Sequence, residues 1–167
     1  MLGLVDREQA LQKSLQNDIK ENPMNFYPLF IPAASMILLT LLVWVFMYFK
    51  RLCYVIKHGI LADELATPDK IDKLLPDHVN APSNNLKNLF EMPILFYVIT
   101  FIAASIPDHS IISNLAAWSF LFFRVIHSVI HCLNGKVLPR FIVYILSTLA
   151  LITLTINVVT QLFNQVS

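Results

Sequence analysis

From Leu29 to Phe49 not one side chain carries a charge. At roughly 1.5 Å per residue, a helix over that run crosses a hydrocarbon core about 30 Å thick. In that medium no water reaches the backbone amides, so a spanning chain is confined to helices or a closed barrel. Three more apolar stretches follow, Met92 to Ile106, Ile111 to Leu133, and a last one from Pro139 to about Phe163. Hydrophobic residues make up 56% of the sequence and charged residues 14%, against an apolar share of about 45 to 50% in soluble domains. The pattern predicts an all-α integral membrane four-helix bundle, with helices over about 29–49, 84–106, 111–133 and 139–163. Residues 29–167 read as one domain whose segment 52–83, broken by Pro68, Pro76 and Pro82, is a soluble connection. Residues 1–28 read as a tail with a thin apolar stripe at Leu4, Leu11, Leu15 and Ile19, suited to a membrane interface. It lacks the apolar run of a signal peptide and is expected to be retained.

Charge narrows the function classes. The formal net charge is +1, and no basic block is interleaved with aromatics, which argues against nucleic acid as a partner. Lys50, Arg51 and Lys57 fall in the first connection and Lys136 and Arg140 around the third, while the second connection and the C-terminal tail carry no Lys or Arg. The positive-inside rule then places the first and third connections in the cytoplasm and both termini outside. Cys53 and Cys132 would share that reducing face and lie in no CxxC pattern, so they read as inert thiols.

The spans are not uniformly apolar. Asn84, Asn88 and Glu91 precede the second apolar run, spaced 4 and 3 apart as on one helix face, and Pro93 predicts a kink or a freed carbonyl beside Glu91. Arg124, His127, Ser128 and His131 follow the i, i+3, i+4, i+7 pattern of a single stripe. Pro107, Asp108 and His109 suggest a tight turn between the second and third helices, and Asn134 with Gly135 suggests the end of the third. Such topology delivers Asn88, Glu91, Arg124, His127, His131, Arg140 and Tyr144 to the cytoplasmic half of one bundle. Ionisable groups there cost roughly 2.5 to 3.5 kcal/mol each on insertion scales, so they mark a cavity, a partner or a pairing.

Three readings of these residues stand side by side. In a structural one, Glu91 pairs with Arg124, the amides and imidazoles bond between helices or subunits, and Arg140 snorkels to lipid phosphate. In a chemical one, Arg140 and Tyr144 stabilise an anion or a thiolate. In a third, His127 and His131 at i, i+4 offer two metal ligands with Glu91 as another, but without a companion pattern no metal is expected. His58, His78 and His109 look incidental. Trp44, Trp118, Phe120, Phe122 and Phe123 read as lipid-facing or packing residues, and Asp69, Lys70, Asp72 and Lys73 as a solvated face.

At these residues the sequence resembles the MAPEG family, the membrane-associated proteins in eicosanoid and glutathione metabolism, and its bacterial members in particular. The likeness rests on Asn84 through Tyr97, on Phe123 through His131, and on Pro139-Arg140 followed by Tyr144. Two positions depart from the common pattern, Lys87 where an arginine is usual and His131 where a tyrosine is frequent. The resemblance implies a homotrimer in the bacterial inner membrane, with a glutathione site between protomers near the cytoplasmic face and a lipophilic small molecule arriving from the lipid. It further implies that Arg140 stabilises the thiolate, assisted by His131 or Tyr144, while Arg51, Lys87, Asn88, Glu91, Arg124 and His127 bind the peptide. The implied activity is that of a glutathione transferase or peroxidase-like enzyme. The alternative is a non-catalytic protein of the same fold that binds a lipid or small anion, its polar stripe serving helix and trimer packing.

Overall fold

The computed structural model describes Arg7 and residues 27–106, 110–133 and 136–166. Helix α1 runs Tyr27–His58 and is followed by a 3₁₀ turn Ala62–Leu65, then α2 (Pro68–Leu74), α3 (Asp77–Leu89), α4 (Met92–Ala104), α5 (Ile111–Cys132) and α6 (Val137–Val166). Four stretches are long and apolar enough to span a bilayer: Leu29–His58, Asp77–Ala104, Ile111–Cys132 and Val137–Gln165. The protein is an all-α, multi-pass integral membrane protein. The expected tail over residues 1–28, the Pro107–His109 turn and the Asn134–Gly135 stop lie outside the described residues, apart from Arg7 and the first residues of α1.

The core follows helical spacing. Leu29, Met36 and Val43 on α1, Pro93, Phe96, Thr100 and Ala103 on α4, and Ser147, Leu151, Leu154 and Val158 on α6 are buried at intervals of three, four or seven. α5 is the central element and packs against α1, α3, α4 and α6, most extensively against α6. Small residues at Ser113, Ala116 and Ala117 line its first half, and where it meets α4 the rings of Phe96 and Phe120 stack 4.3 Å apart. The outward faces carry Leu38, Leu42, Trp44, Trp118 and Phe122, all exposed on the protomer as lipid-facing side chains would be, whereas Phe120 is buried in packing.

Two helices differ in extent from the sequence expectation. α1 does not stop at Phe49, because nothing after it breaks a helix until Gly59, whose φ of 64° closes the end with an Ile60 N–H to Val55 carbonyl bond of 3.2 Å. The second span starts at Asp77 and takes in the last part, residues 77–83, of the segment read as a soluble connection. It is also divided: Pro93 offers no N–H to the carbonyl of Leu89, and the chain leaves helical geometry at Glu91 (φ −101°, ψ −92°) before α4 begins. The anticipated kink is therefore a break between two helices.

A second proline is compensated from elsewhere in the fold. Pro82 lies within α3, so the carbonyl of His78, four residues earlier, has no helical donor. The Lys50 ammonium donates to that oxygen at 2.7 Å and also approaches the carbonyl of Cys132, the last residue of α5, at 3.4 Å. One cation thus joins α1, α3 and the negative end of the α5 dipole. Replacing Lys50 by Met should lower stability by about 1.5 to 3 kcal/mol, as expected for hydrogen bonds to a charged group. The loss should shrink in a Pro82→Ala background, where the His78 carbonyl regains a helical partner. Thermal unfolding in detergent of the two single variants and the double variant measures both, and an additive result would rule the coupling out.

Candidate functional site

Burial of the α5 stripe is complete: Arg124, His127, Ser128 and His131 are all inside the protomer. They face the opening turns of α6, where Pro139 is tolerated because a helix's first N–H groups have no internal partner anyway. His127 Nδ1–H donates to the backbone carbonyl of Arg140 at 3.1 Å, which leaves Nε2 as its other, unprotonated nitrogen in the neutral ring. Arg140 Nη1 donates to His131 Nε2 at 3.3 Å, so the proton of a neutral His131 resides on Nδ1. The ring of His127 lies 5.6 Å from that of His131 and 5.7 Å from that of Tyr144. Two turns of α5 and two of α6 are thereby locked in register.

Asn88, His127, His131, Val137, Arg140, Phe141 and Tyr144 line a cleft of about 250 Å³ at this junction. It contains the Arg140 guanidinium, two imidazoles, a phenol and an amide, and no carboxylate lines it. Behind it, Arg124 is fully buried with its guanidinium carbon 4.9 Å from the Tyr144 ring centroid and 5.3 Å from that of Phe120. Its three guanidinium nitrogens have no hydrogen-bond partner among the described residues. This buried cation is faced by the two rings, with the Glu91 charge acting on it only from a distance, and the cleft in front of it, lined by no carboxylate, is suited to an anion. His127 and His131 are both engaged with Arg140, and among the described residues no group of three His, Cys, Asp or Glu is placed to hold a metal ion.

The structure brings together Asn88, His127, His131, Arg140 and Tyr144, with Arg124 behind them, and separates the rest. Glu91 is exposed and does not pair with Arg124, because the break after Leu89 resets the helical phase and carries its carboxylate out of the stripe. Lys87 is exposed, and with Arg51 it borders a different cavity of about 220 Å³. Several contributors were not singled out from the sequence. Asn80 and Asn85, not Asn84, are the buried amides of α3; Asn80 Nδ2 donates to the Leu75 carbonyl at 3.0 Å, and Asn85 Nδ2 lies 3.4 Å from Cys132 Sγ. Cys132 is buried and Cys53 exposed, both as free thiols. Val137 and Phe141 also border the cleft, a placement that follows from their lying one turn apart on α6, at i and i+4, with Arg140 between them.

The sequence pattern that defines the MAPEG family matches residues 16–160. No curated protein and no solved structure matches the chain.

If the Tyr144 ring is what compensates Arg124, Tyr144→Phe should leave thermal stability nearly unchanged, while Tyr144→Leu should cost about 2 kcal/mol, as for a desolvated cation–π contact. Equal losses in the two variants would instead point to the phenol oxygen.

Proposed function

Because the chain belongs to the MAPEG family, we propose that it is a membrane-bound glutathione transferase or peroxidase-like enzyme acting on lipophilic electrophiles. Members of that family are mostly glutathione-dependent transferases and peroxidases. The observation that carries the reading is the Arg140 side chain, held by His131 and facing a carboxylate-free cleft. A guanidinium so placed stabilises a thiolate over a thiol, lowering an ordinary thiol pKa of about 8.5 toward neutrality. Only the ionised sulfur is an effective nucleophile, so a larger thiolate fraction at neutral pH raises the rate of attack.

In this mechanism Arg140 holds the sulfur, and His131 fixes the guanidinium through its Nε2 lone pair. Tyr144, on the same wall, presents a hydroxyl to the sulfur or to the oxygen of an electrophile. Asn88 bonds the peptide from the α3 side, and Arg124 and His127 contribute positive potential and ring packing behind it. The buried, unpaired nitrogens of Arg124 fit a ligand that brings net negative charge. The electrophile arrives along an apolar groove of about 510 Å³ between α4 and α6, lined by Met92, Thr148 and Ile152 among others. Thr148 stands one turn beyond Tyr144 and its hydroxyl bonds the Tyr144 carbonyl, so the groove begins where the cleft ends.

A homotrimer with the cleft toward the cytoplasm of a bacterial inner membrane accompanies this proposal. Its support is Glu91, a carboxylate exposed within a membrane span, whose cost in lipid is relieved if a neighbouring copy covers it. Such packing lets Glu91, Lys87 and Arg51, which a single protomer keeps away from the cleft, act on a peptide bound between copies. A non-catalytic reading draws on the mutual bonding of His127, Arg140 and His131, which also locks two helices together.

Glutathione binding to the purified protein in detergent, with ultraviolet absorbance of the bound thiolate followed against pH, separates the two. The wild-type thiolate signal should appear at lower pH than in Arg140→Ala, because a lowered thiol pKa means ionisation at lower pH. At neutral pH the variant should lose activity toward a lipophilic electrophile by about a hundredfold, the scale of one lost charge-stabilising donor. Coincident titrations would remove the catalytic reading. Size-exclusion chromatography with light scattering should return three copies per particle, and a monomer would overturn the interprotomer site.

A further inference from the structure

A guanidinium steadies an anion but cannot take the proton from the group that becomes one, since its nitrogens only donate. If a thiol ionises beside Arg140, the proton goes to solvent or to another atom of the cleft. The Asn88 amide is no base at neutral pH, and the Tyr144 phenol gives a proton there more readily than it takes one. Only the two imidazoles present basic lone pairs, on Nε2 of His127 and Nε2 of His131. A tyrosine in place of His131 would leave one such lone pair fewer.

The two rings differ in what their lone pairs meet. His127 keeps its Nδ1–H on the Arg140 backbone carbonyl, and its Nε2 is buried without a partner. His131 Nε2 is met by Arg140 Nη1 at 3.3 Å, so this lone pair opens onto the cation that holds an incoming anion. The bond exists only while Nε2 is unprotonated, because an imidazolium and a guanidinium have no acceptor between them. A charged acceptor binds a guanidinium more strongly than a neutral ring does, so an anion in the cleft draws Nη1 away and leaves Nε2 free beside it. Around His131 stand Arg140 and Tyr144 on α6, and His127 and Arg124 on α5. From α1, Lys50 reaches the carbonyl of the neighbouring Cys132, a buried thiol, and α3 presents no titratable side chain to the cleft. With no carboxylate among the lining residues, the anion itself is the counter-charge of an imidazolium formed there.

We propose that His131 is the proton acceptor in thiol activation, a role that rests on the function proposed above. The S–H bond of the bound thiol breaks, its electron pair stays on sulfur, and the proton forms the Nε2–H bond of an imidazolium. Arg140 Nη1 exchanges Nε2 for the sulfur in the same step. An ordinary imidazole, of pKa about 6.5, is a weaker base than a thiolate of about 8.5 by roughly a hundredfold, and the approach of Arg140 to the sulfur offsets that difference. When the thiolate attacks an enone or a hydroperoxide, the proton passes to the oxyanion so formed, which restores the lone pair and its bond to Arg140. The proton thus stays inside the cleft through the cycle.

A proton count tests this. The full-length protein in detergent is titrated with glutathione at one neutral pH in two buffers of different ionisation heat, so that calorimetry gives the protons released. S-methylglutathione, whose sulfur carries no proton, is titrated likewise and its count subtracted, and ultraviolet absorbance gives the thiolate formed. The wild type should release close to none per thiolate, whereas His131→Gln, whose amide oxygen still accepts from Arg140 but takes no proton, should release about one. Wild-type thiolate accompanied by about one released proton overturns the role of His131 and leaves that of Arg140 standing. A count near zero in both wild type and His131→Gln overturns it as well, since the proton then stays on another group. If a thermal melt shows that His131→Gln does not fold, His127→Gln decides: a count still near zero supports His131, and a rise to about one overturns it. Absence of thiolate in the wild type overturns the function proposed above and the role of His131 with it.

Discussion

The Lys50 ammonium, bonded at once to the carbonyls of His78 and Cys132, is the contact on which the basic end of this bundle depends. A carbonyl that its own helix has left without a donor needs a partner from elsewhere, and at this end of the bundle a charged donor supplies it. Pro82 creates one orphan inside α3 and the end of α5 creates another, and a single long side chain from α1 reaches both. The position of Asn88 relative to His131 follows from that junction, since one lies two turns beyond Pro82's level on α3 and the other immediately before Cys132. Arg51, the next residue, repeats the device with a side-chain oxygen, that of Asn80.

Arg124 poses the opposite problem, a donor group without acceptors. Its guanidinium is enclosed by the faces of Phe120 and Tyr144, and ring quadrupoles substitute in part for lost hydration. The same Tyr144 ring forms a wall of the cleft and lies near the His127 ring, which is tied to the Arg140 backbone. Shape and charge in the cleft are thus properties of one interlocked set. Exchanging a member alters its neighbours as well as the space between them, and effects of single substitutions here will not add.

How much of this was legible in the sequence depended on whether a segment had one apolar answer to its helical phase. α5 did: its polar residues recur at a strict helical interval among apolar ones, and the whole stripe is buried as that spacing requires. The convergence of His127, His131, Arg140 and Tyr144 followed from helix order and short connections. α3 did not, because amides occur on more than one of its faces. The spacing of Asn84, Asn88 and Glu91 suggested one side, whereas Val79, Pro82, Asn85 and Leu89 face inward, and the break at Glu91 ended any continuity. The place of Asp72 was invisible for a different reason: its neighbours alternate in charge like any exposed helix, and only the packing of α2 puts it on the same cavity as Arg51 and Lys87.

The lengths of the helices fix the depth of the cleft. α6 has 30 residues, about 45 Å at helical rise, against a hydrocarbon thickness of about 30 Å. Arg140 lies in its first turn, so the cleft is at the shoulder of the bilayer and not at its midplane. The enzyme proposed above, with its site at that depth, would draw on two reservoirs, one measured per volume of buffer and the other per area of lipid. Occupancy from the lipid side would then be set by the mole fraction of a compound among the acyl chains, and diluting a sample with empty vesicles would lower it even when nothing in the aqueous phase has changed.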